Sequence, residues 1–265
     1  MNTDLNPYSR IAKFPKQIRP FLIWLRDTVL SKQIARLPNN PNRYRYRFDG
    51  VAVNNSTAFM EELEFKKSYA ALVKAYGWDP GMPWRVHQII WAYKQIKDVN
   101  GSIVECGVGR GGLMSALLES CENWNETGRK MYLFDTFESY QYDKRGKKIV
   151  NEDGYKYYAR SFSETKKNFS NYSNIEFVVG DVIKTVATGL CGEIALLSLD
   201  LNQADAEEHV MRKLFPNLSI GGVIILDDYY AAGRDLQRMR MNRLAEDLNF
   251  NILATPHGQG IIVKN

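Results

Sequence analysis

Ser102-Ile-Val-Glu-Cys-Gly-Val-Gly-Arg-Gly-Gly112 is the stretch that decides how this chain of 265 residues folds. Its first half is a short apolar run that reads as a buried strand. Its second half is a glycine-rich turn that opens a helix. Gly107, Gly109 and Gly112 satisfy G-x-G-x-x-G, in which a strand turns tightly into a helix and offers backbone N–H groups to a ligand. That pattern alone is a weak signal, because any cofactor that approaches backbone closely favours it. The same string also reads Glu-x-Gly-x-Gly-x-Gly, from Glu105 through Gly111.

Outward from this stretch, short β-rich runs alternate with helical ones. The runs are Ser102–Val108, Lys130–Thr136, Ile175–Gly180, Ile194–Asp200 and Gly222–Leu226. They are nearly continuous in Val, Ile and Leu, as expected of strands covered on both faces of a parallel sheet. Gly112–Cys121, Ala204–Phe215 and Leu236–Leu248 carry the helical patterns between them. Asn251–Thr255 and Gly260–Lys264, around a Pro-His-Gly turn, read as a closing antiparallel hairpin. The expectation is an α/β fold: a doubly wound, seven-stranded, mostly parallel sheet with a C-terminal hairpin. Upstream, Phe59, Leu63, Phe65, Tyr69 and Leu72 recur at helical spacing, Gly77-Trp-Asp-Pro-Gly81 interrupts, and a second helix runs from about Pro83 to Asp98. The division read from the sequence is a basic arm over 1–55, a helical extension over 56–100, and a cofactor-binding domain over 101–265.

The formal net charge of +5 is unevenly placed. Residues 1–50 hold 10 Lys and Arg against 3 Asp and Glu, while the rest of the chain holds 25 against 27. The excess belongs to the arm, so it gives no support for nucleic acid as a substrate. The arm reads as a docking segment for its own domain or a neighbouring copy, and assembly of identical copies is expected. Membrane-surface contact through Arg19–Ser31 is the weaker alternative. Phe21-Leu-Ile-Trp-Leu25 is too short to span a bilayer, and the three cysteines lack disulfide or zinc spacing. The expected compartment is the cytoplasm.

Glu105 narrows the choice of cofactor. A carboxylate at the end of the first strand would repel a pyrophosphate and suit a cationic ligand such as S-adenosylmethionine. Asp135 closes the second strand, where an acid takes ribose hydroxyls, and Asp181 closes the third, within reach of an adenine amine. Asp181 also suits a helix N-cap. Asp200, at the end of the fourth strand, and Asp227 and Asp228, at the end of the fifth, converge if those strands are neighbours. Three like charges need a cation or protons, and hard oxygen donors without His or Cys point to Mg²⁺. Asp200 and His257 are the candidate bases for an acceptor hydroxyl, in that order. The long polar segment 138–173, with Tyr140, Tyr142, Tyr155, Tyr157, Tyr158 and Tyr172, reads as an acceptor lid or as a surface insertion.

Glu105-x-Gly-x-x-Arg110-Gly-Gly112, Phe134-Asp-Thr-Phe-Glu138, Gly180-Asp181, Leu199-Asp200, Gly221–Tyr229 and Gly258-Gln-Gly260 resemble the macrocin O-methyltransferase (TylF-type) family over about residues 84–265. The resemblance implies a class I methyltransferase fold and an S-adenosylmethionine- and Mg²⁺-dependent O-methyltransferase acting on a hydroxyl of a sugar or glycosylated metabolite. It implies that Glu105, Gly107 and Asp135 bind the cofactor and that Asp181 lies by the adenine; Gly109, Arg110, Gly111, Thr136 and Val182, beside these in the sequence, complete the candidate cofactor set. The metal set is Asp200, Asp227 and Asp228, with Asp200 also a base. Asn202 stands where that family commonly has a second acid, and His257 where it often has threonine. The alternatives are a small-phenol methyltransferase, an NAD-dependent oxidoreductase on the same glycine loop, and a non-catalytic cofactor-binding protein.

Overall fold

The structure, a computed structural model, describes residues 15, 46–53, 55–137, 140–142, 148–150, 162–186 and 190–265, with backbone alone at 46–48, 52–53, 140–142 and 148–150. The chain divides into two compact units, 1–47 with 52–56 and 48–51 with 57–265. Most of the basic arm lies outside the described residues.

The second unit is built on a seven-stranded sheet. Its strands are β1 (Ser102–Cys106), β2 (Met131–Asp135), β3 (Ile175–Val179), β4 (Ile194–Leu199), β5 (Leu218–Leu226), β6 (Leu253–Ala254) and β7 (Gly260–Val263). Their order across the sheet is β6-β7-β5-β4-β1-β2-β3. Neighbours among β1 to β5 are parallel, and β7 lies antiparallel between β5 and β6. The helices are α1 (Leu63–Tyr76), α2 (Pro83–Gln95), α3 (Gly112–Ser120), α4 (Phe162–Lys167), α5 (Val182–Thr185), α6 (Ala204–Leu214) and α7 (Asp235–Leu248). This is the mixed, doubly wound sheet expected from the alternating runs.

Continuous apolar strands are explained by two covered faces. Val104, Leu197 and Ile224 meet Val210 and Met211 of α6 and Met241 and Leu244 of α7. Ile103, Leu196 and Val223 meet Ile89 and Ala92 of α2 and Met114 and Leu117 of α3. Leu196 and Leu197 therefore point to opposite layers and are both fully buried, each worth roughly 2 kcal/mol of apolar transfer. β3 departs from the expectation: it is the sheet edge, and Val179 is half exposed. β5 starts at Leu218, earlier than the run Gly222–Leu226 suggested, because Ile194 pairs with Leu218 across an irregularity in register.

The helices ahead of β1 are capped as their sequence requires. α1 stops at Gly77, which takes a left-handed φ of 82°, and α2 begins with Pro83 in its first turn. Leu72 of α1, Val86 and Ile90 of α2 and Ala116 of α3 form one apolar cluster. Among the described residues no helix is long and apolar enough to cross a membrane.

In the segment 138–173, the backbone of Tyr140–Tyr142 pairs antiparallel with Lys148–Val150. Tyr155, Tyr157 and Tyr158 lie outside the described residues, so the lid expectation falls largely outside them. At the end of the segment, Phe162 and Tyr172 lie against the cluster that holds Trp124 and Phe169.

The chain runs outward from β1 to β3, then returns to place β4 on the other side of β1. The crevice above this reversal is where an open α/β sheet binds its ligand. Gly107 leaves β1 there, and Asp200 leaves β4.

Candidate active site

Gly107 sits where β1 and β4 diverge. Its backbone N–H donates to the Phe134 carbonyl at 2.9 Å, while the Asp200 N–H donates to the Cys106 carbonyl at 2.9 Å. A Cβ at Gly107 would lie 1.8 Å from the Asp200 carbonyl oxygen, and its φ is +95°. Only glycine meets both conditions. The rest of the loop is held from outside. Asp135 accepts from Gly109 N–H at 2.7 Å and from Phe137 N–H at 2.8 Å. Thr165 Oγ1 donates to the Gly109 carbonyl at 3.1 Å, and Asn168 Nδ2 to the Arg110 carbonyl at 3.0 Å. Gly111, the N-cap of α3 with φ +76°, lies against the Phe169 ring.

The residues expected to bind a cofactor are partly brought together. Glu105, Gly107, Gly109, Gly111, Asp135 and Thr136 gather at the ends of β1 and β2. Thr136 Oγ1 is 3.5 Å from Asp135 Oδ1. The Arg110 side chain turns away toward α1: Nη1 donates to the Tyr76 carbonyl at 3.1 Å, and the guanidinium lies 4.4 Å above the Trp78 ring. Asp181 caps α5, accepting from Ile183 N–H at 3.1 Å, and Val182 is buried behind it.

The acidic side chains form one electrostatic group. Glu105 is 2% exposed and its Oε2 has no hydrogen-bond partner. Burial raises its pKa well above the usual carboxyl range, and Asp135 and Asp227 push it further. Asp200 is raised well above the usual range by desolvation, then by Asp227 and Asp228, against the pull of Arg85. Asp228 is raised by burial and by Asp227, and lowered by Arg234 and Arg85. β4 and β5 are neighbours, so the expected convergence of these acids is what the sheet delivers.

Two guanidiniums answer them. Arg85, from the first turn of α2, donates through Nη1 to Asp227 Oδ2. Its Nε lies 3.1 and 3.2 Å from the two oxygens of Asp49. Burial opposes its charge, yet Asp227, Asp49 and Asp200 together hold its pKa above the ordinary arginine value. Arg234, in the loop after β5, places Nε 3.3 Å from Asp228 Oδ2 and donates to Asn202 through both Nη atoms. Asn202, in the left-handed region at φ 58°, donates from Nδ2 to Asp200 Oδ1 at 3.1 Å. Thus Asn202, at the position where an acid is common, joins Arg234 to Asp200.

His257 lies one step further back. Gln259 Nε2 donates to Asp227 Oδ1 at 2.6 Å, so its Oε1 faces His257 Nε2 at 3.0 Å. An amide oxygen only accepts, so Nε2 carries the proton. Burial lowers the imidazole pKa, with Gln259, Asp49 and Asp227 opposing.

The donor set fits a divalent cation in its chemistry. It offers hard carboxylate oxygens, a buried Glu105 oxygen without a partner, and five acids (Asp49, Glu105, Asp200, Asp227, Asp228) against two guanidiniums. The geometry is not drawn around a cation: among the described residues no three acidic, histidine or cysteine side chains surround one point closely enough to hold a metal. Both oxygens of Asp227 are engaged, by Gln259 and Arg85.

Sequence reading missed Asp49, Arg85, Glu207 and Arg234. Asp49-Gly50 has positive φ at both positions, 52° and 71°, the two-residue hairpin turn that Asp-Gly signals. Arg85 carries an inverse signal, a cation in a helix's first turn, where the macrodipole disfavours it. Glu207 lies on the apolar stripe of α6 with Val210, Met211 and Leu214. Burial, then Asp228 and Asp227, push its pKa up to about 8. Nothing local marks Arg234.

A doubly wound sheet of this strand order, with β7 antiparallel between β5 and β6 and an acid-rimmed glycine loop at its switch point, is the fold of class I methyltransferases. The model of the Macrocin-O-methyltransferase (TylF) family matches residues 85–254, and the chain belongs to that family. It is 28% identical over 148 residues to demethyldecarbamoylnovobiocin O-methyltransferase of Streptomyces niveus, a match covering 50% of this chain and 54% of that protein. It is 27% identical over 143 residues to an 8-demethyl-8-(2,3-dimethoxy-alpha-L-rhamnosyl)-tetracenomycin-C 4'-O-methyltransferase of Streptomyces olivaceus, covering 49% of this chain and 54% of that one. The chain thus spans about half the length of the curated relatives it matches. The solved O-methyltransferase NovP shares the fold with a TM-score of 0.61 and 20% identity, over 80% of this chain and all of NovP.

Proposed function

We propose that this protein is an S-adenosylmethionine-dependent O-methyltransferase acting on a hydroxyl of a sugar or glycosylated metabolite, assisted by Mg²⁺ at Asp200, Asp227 and Asp228. The observation that carries the reading is the meeting of Gly107 and Asp200 at the switch point. It sets a cofactor loop and a carboxylate cluster side by side. Family membership and the rhamnosyl acceptor in one relative's name support the sugar class.

Held by Glu105, Asp135 and the glycine loop, S-adenosylmethionine would supply a methyl group activated by its sulfonium, the carbon–sulfur bond being the one given up when the acceptor oxygen takes the methyl. Mg²⁺ at the three aspartates would lower the pKa of the acceptor hydroxyl. The chain's own residues do the rest. Glu105 places a carboxylate where the ligand is cationic, and the stitched glycine loop needs little rearrangement to receive it. Asp200, whose backbone leaves β4 beside Gly107 at the switch point, would take the hydroxyl proton in its ionised form. Asn202 and Arg234 hold Asp200 and Asp228 in place. His257 acts through Gln259 on Asp227.

The test is a titration of the full-length protein with S-adenosylmethionine, S-adenosylhomocysteine and NAD. It is paired with mass analysis of rhamnosides and simple phenols after incubation with S-adenosylmethionine and Mg²⁺. Saturable binding of the first two ligands and a glycoside heavier by one CH₂ support the reading. NAD binding alone, or methylation confined to phenols, overturns it.

A further inference from the structure

Asp49 lies outside the matched family region, yet its side chain is only 8% exposed and meets Arg85 at the edge of the acidic cluster. The turn that carries it, residues 48–51, belongs to the same compact unit as the sheet. Arg85 is 14% exposed and spans two carboxylates, Asp49 through Nε and Asp227 through Nη1. A cation in the first turn of α2 works against the helix macrodipole, so these carboxylates account for its place.

We propose that Asp49 is a positioning residue for this site: it holds Arg85 at the carboxylate cluster, where Arg85 and a divalent cation are alternative partners for Asp227 Oδ2. The proposal rests on the cation part of the functional reading above. Two cations on one carboxylate oxygen repel, so a metal drawing on Asp227 Oδ2 must displace the guanidinium. An arginine leaving a buried carboxylate needs another acceptor, or it becomes a costly unpaired charge. Asp49 supplies that acceptor, with both oxygens already against Nε. Without metal, Asp227 is thereby paired with an internal cation, and with metal on Asp227 that cation keeps its partner in Asp49. Glu105 and Asp200 face the cluster from β1 and β4, Asp228 and Arg234 from β5 and the loop beyond it, and His257 and Gln259 from the closing hairpin. None of these offers Arg85 a second hydrogen-bonded carboxylate as Asp49 does.

The experiment is calorimetric titration of MgCl₂ into the full-length protein saturated with S-adenosylhomocysteine. Arg85→Gln, which removes the competing cation, should tighten Mg²⁺ binding about tenfold, whereas a merely structural role would weaken it. Asp49→Asn should weaken Mg²⁺ binding about tenfold and leave S-adenosylhomocysteine affinity within about threefold, and Asp49→Glu should restore most of the loss. In an Arg85→Gln background the Asp49→Asn effect should shrink below about twofold, because Asp49 acts through Arg85. Weaker binding in Arg85→Gln, or an undiminished Asp49→Asn effect in that background, overturns the proposal. A wild type that binds S-adenosylhomocysteine but no Mg²⁺ overturns the alternation and leaves the methyltransferase reading standing. Failure to bind either ligand overturns both. Independently of any ligand, Arg85→Gln should speed amide hydrogen exchange over residues 48–51 about tenfold. Unchanged exchange there overturns the tie between Asp49 and Arg85.

Discussion

Gln259 Nε2 lies 2.6 Å from Asp227 Oδ1, and this bond puts an amide between His257 and the acidic cluster. A base at His257 would act across two hydrogen bonds, from a ring whose protonated nitrogen faces Gln259. Asp200 stands at the switch point itself. Asp200→Asn should therefore lower turnover at least about a hundredfold, while His257→Asn stays within about tenfold of wild type. S-adenosylhomocysteine affinity should change little in either. The check is steady-state methyl transfer to a glycoside with parallel calorimetry; the reverse ranking would move the base to His257.

Gln259 also has a structural consequence. It is 1% exposed, and replacing it by leucine strands the Asp227 oxygen and the His257 N–H in the interior. Gln259→Leu should cost about 1–3 kcal/mol in urea unfolding. A neutral result would mean that water or a neighbour takes over both groups.

Glu105 and Asp200 should make cofactor binding depend on pH. Both carboxyls have pKa values raised by burial and by neighbouring acids, so in the free protein they are protonated further into the neutral range than ordinary carboxyls. A cationic ligand favours their ionised form. S-adenosylmethionine should thus bind more tightly as pH rises from 6 to 8.5, by up to about tenfold per unit, and binding should release protons. Calorimetry in buffers of different ionisation enthalpy checks this, and a flat profile would remove Glu105 from the cationic end of the ligand.

Glu207 should govern stability rather than binding. Its carboxyl sits at about 8 in the fold against 4.5 ordinarily. The neutral acid is what the fold prefers, so its contribution is full below about 4.5 and is lost as pH rises toward 8. Glu207→Gln, which stays neutral, should flatten this decline, sparing on the order of 2 kcal/mol between pH 5 and 8. Thermal unfolding of both proteins across that range would show parallel curves if the carboxyl is already ionised.

Gly107→Ala tests the switch point directly. The added methyl would meet the Asp200 carbonyl at 1.8 Å on a backbone with φ +95°. A loss of more than about 2 kcal/mol in stability, together with loss of S-adenosylhomocysteine binding, is expected. An alanine variant that binds normally would show that β1 and β4 can separate there without consequence.

The sheet, the glycine loop and the acids at the strand ends are legible in the order of residues alone. These are local facts: apolar runs make strands, glycines allow positive φ, and a strand's last residue sits at the ligand edge whatever follows. Glu105, Asp135, Asp200, Asp227 and Asp228 were legible for that reason. Partnership across the chain was not. Arg85 and Asp227 are 142 residues apart and Asp49 and Arg85 are 36 apart, and no period or turn links them. Tertiary structure alone decided that Arg110 points to Tyr76 and Trp78, that Asn202 ties Arg234 to Asp200, and that His257 reaches Asp227 only through Gln259. Strand position follows from backbone rules repeated every two residues. The pairing of buried charges follows from which side chains the packed layers bring together in a medium where an unpaired charge is costly.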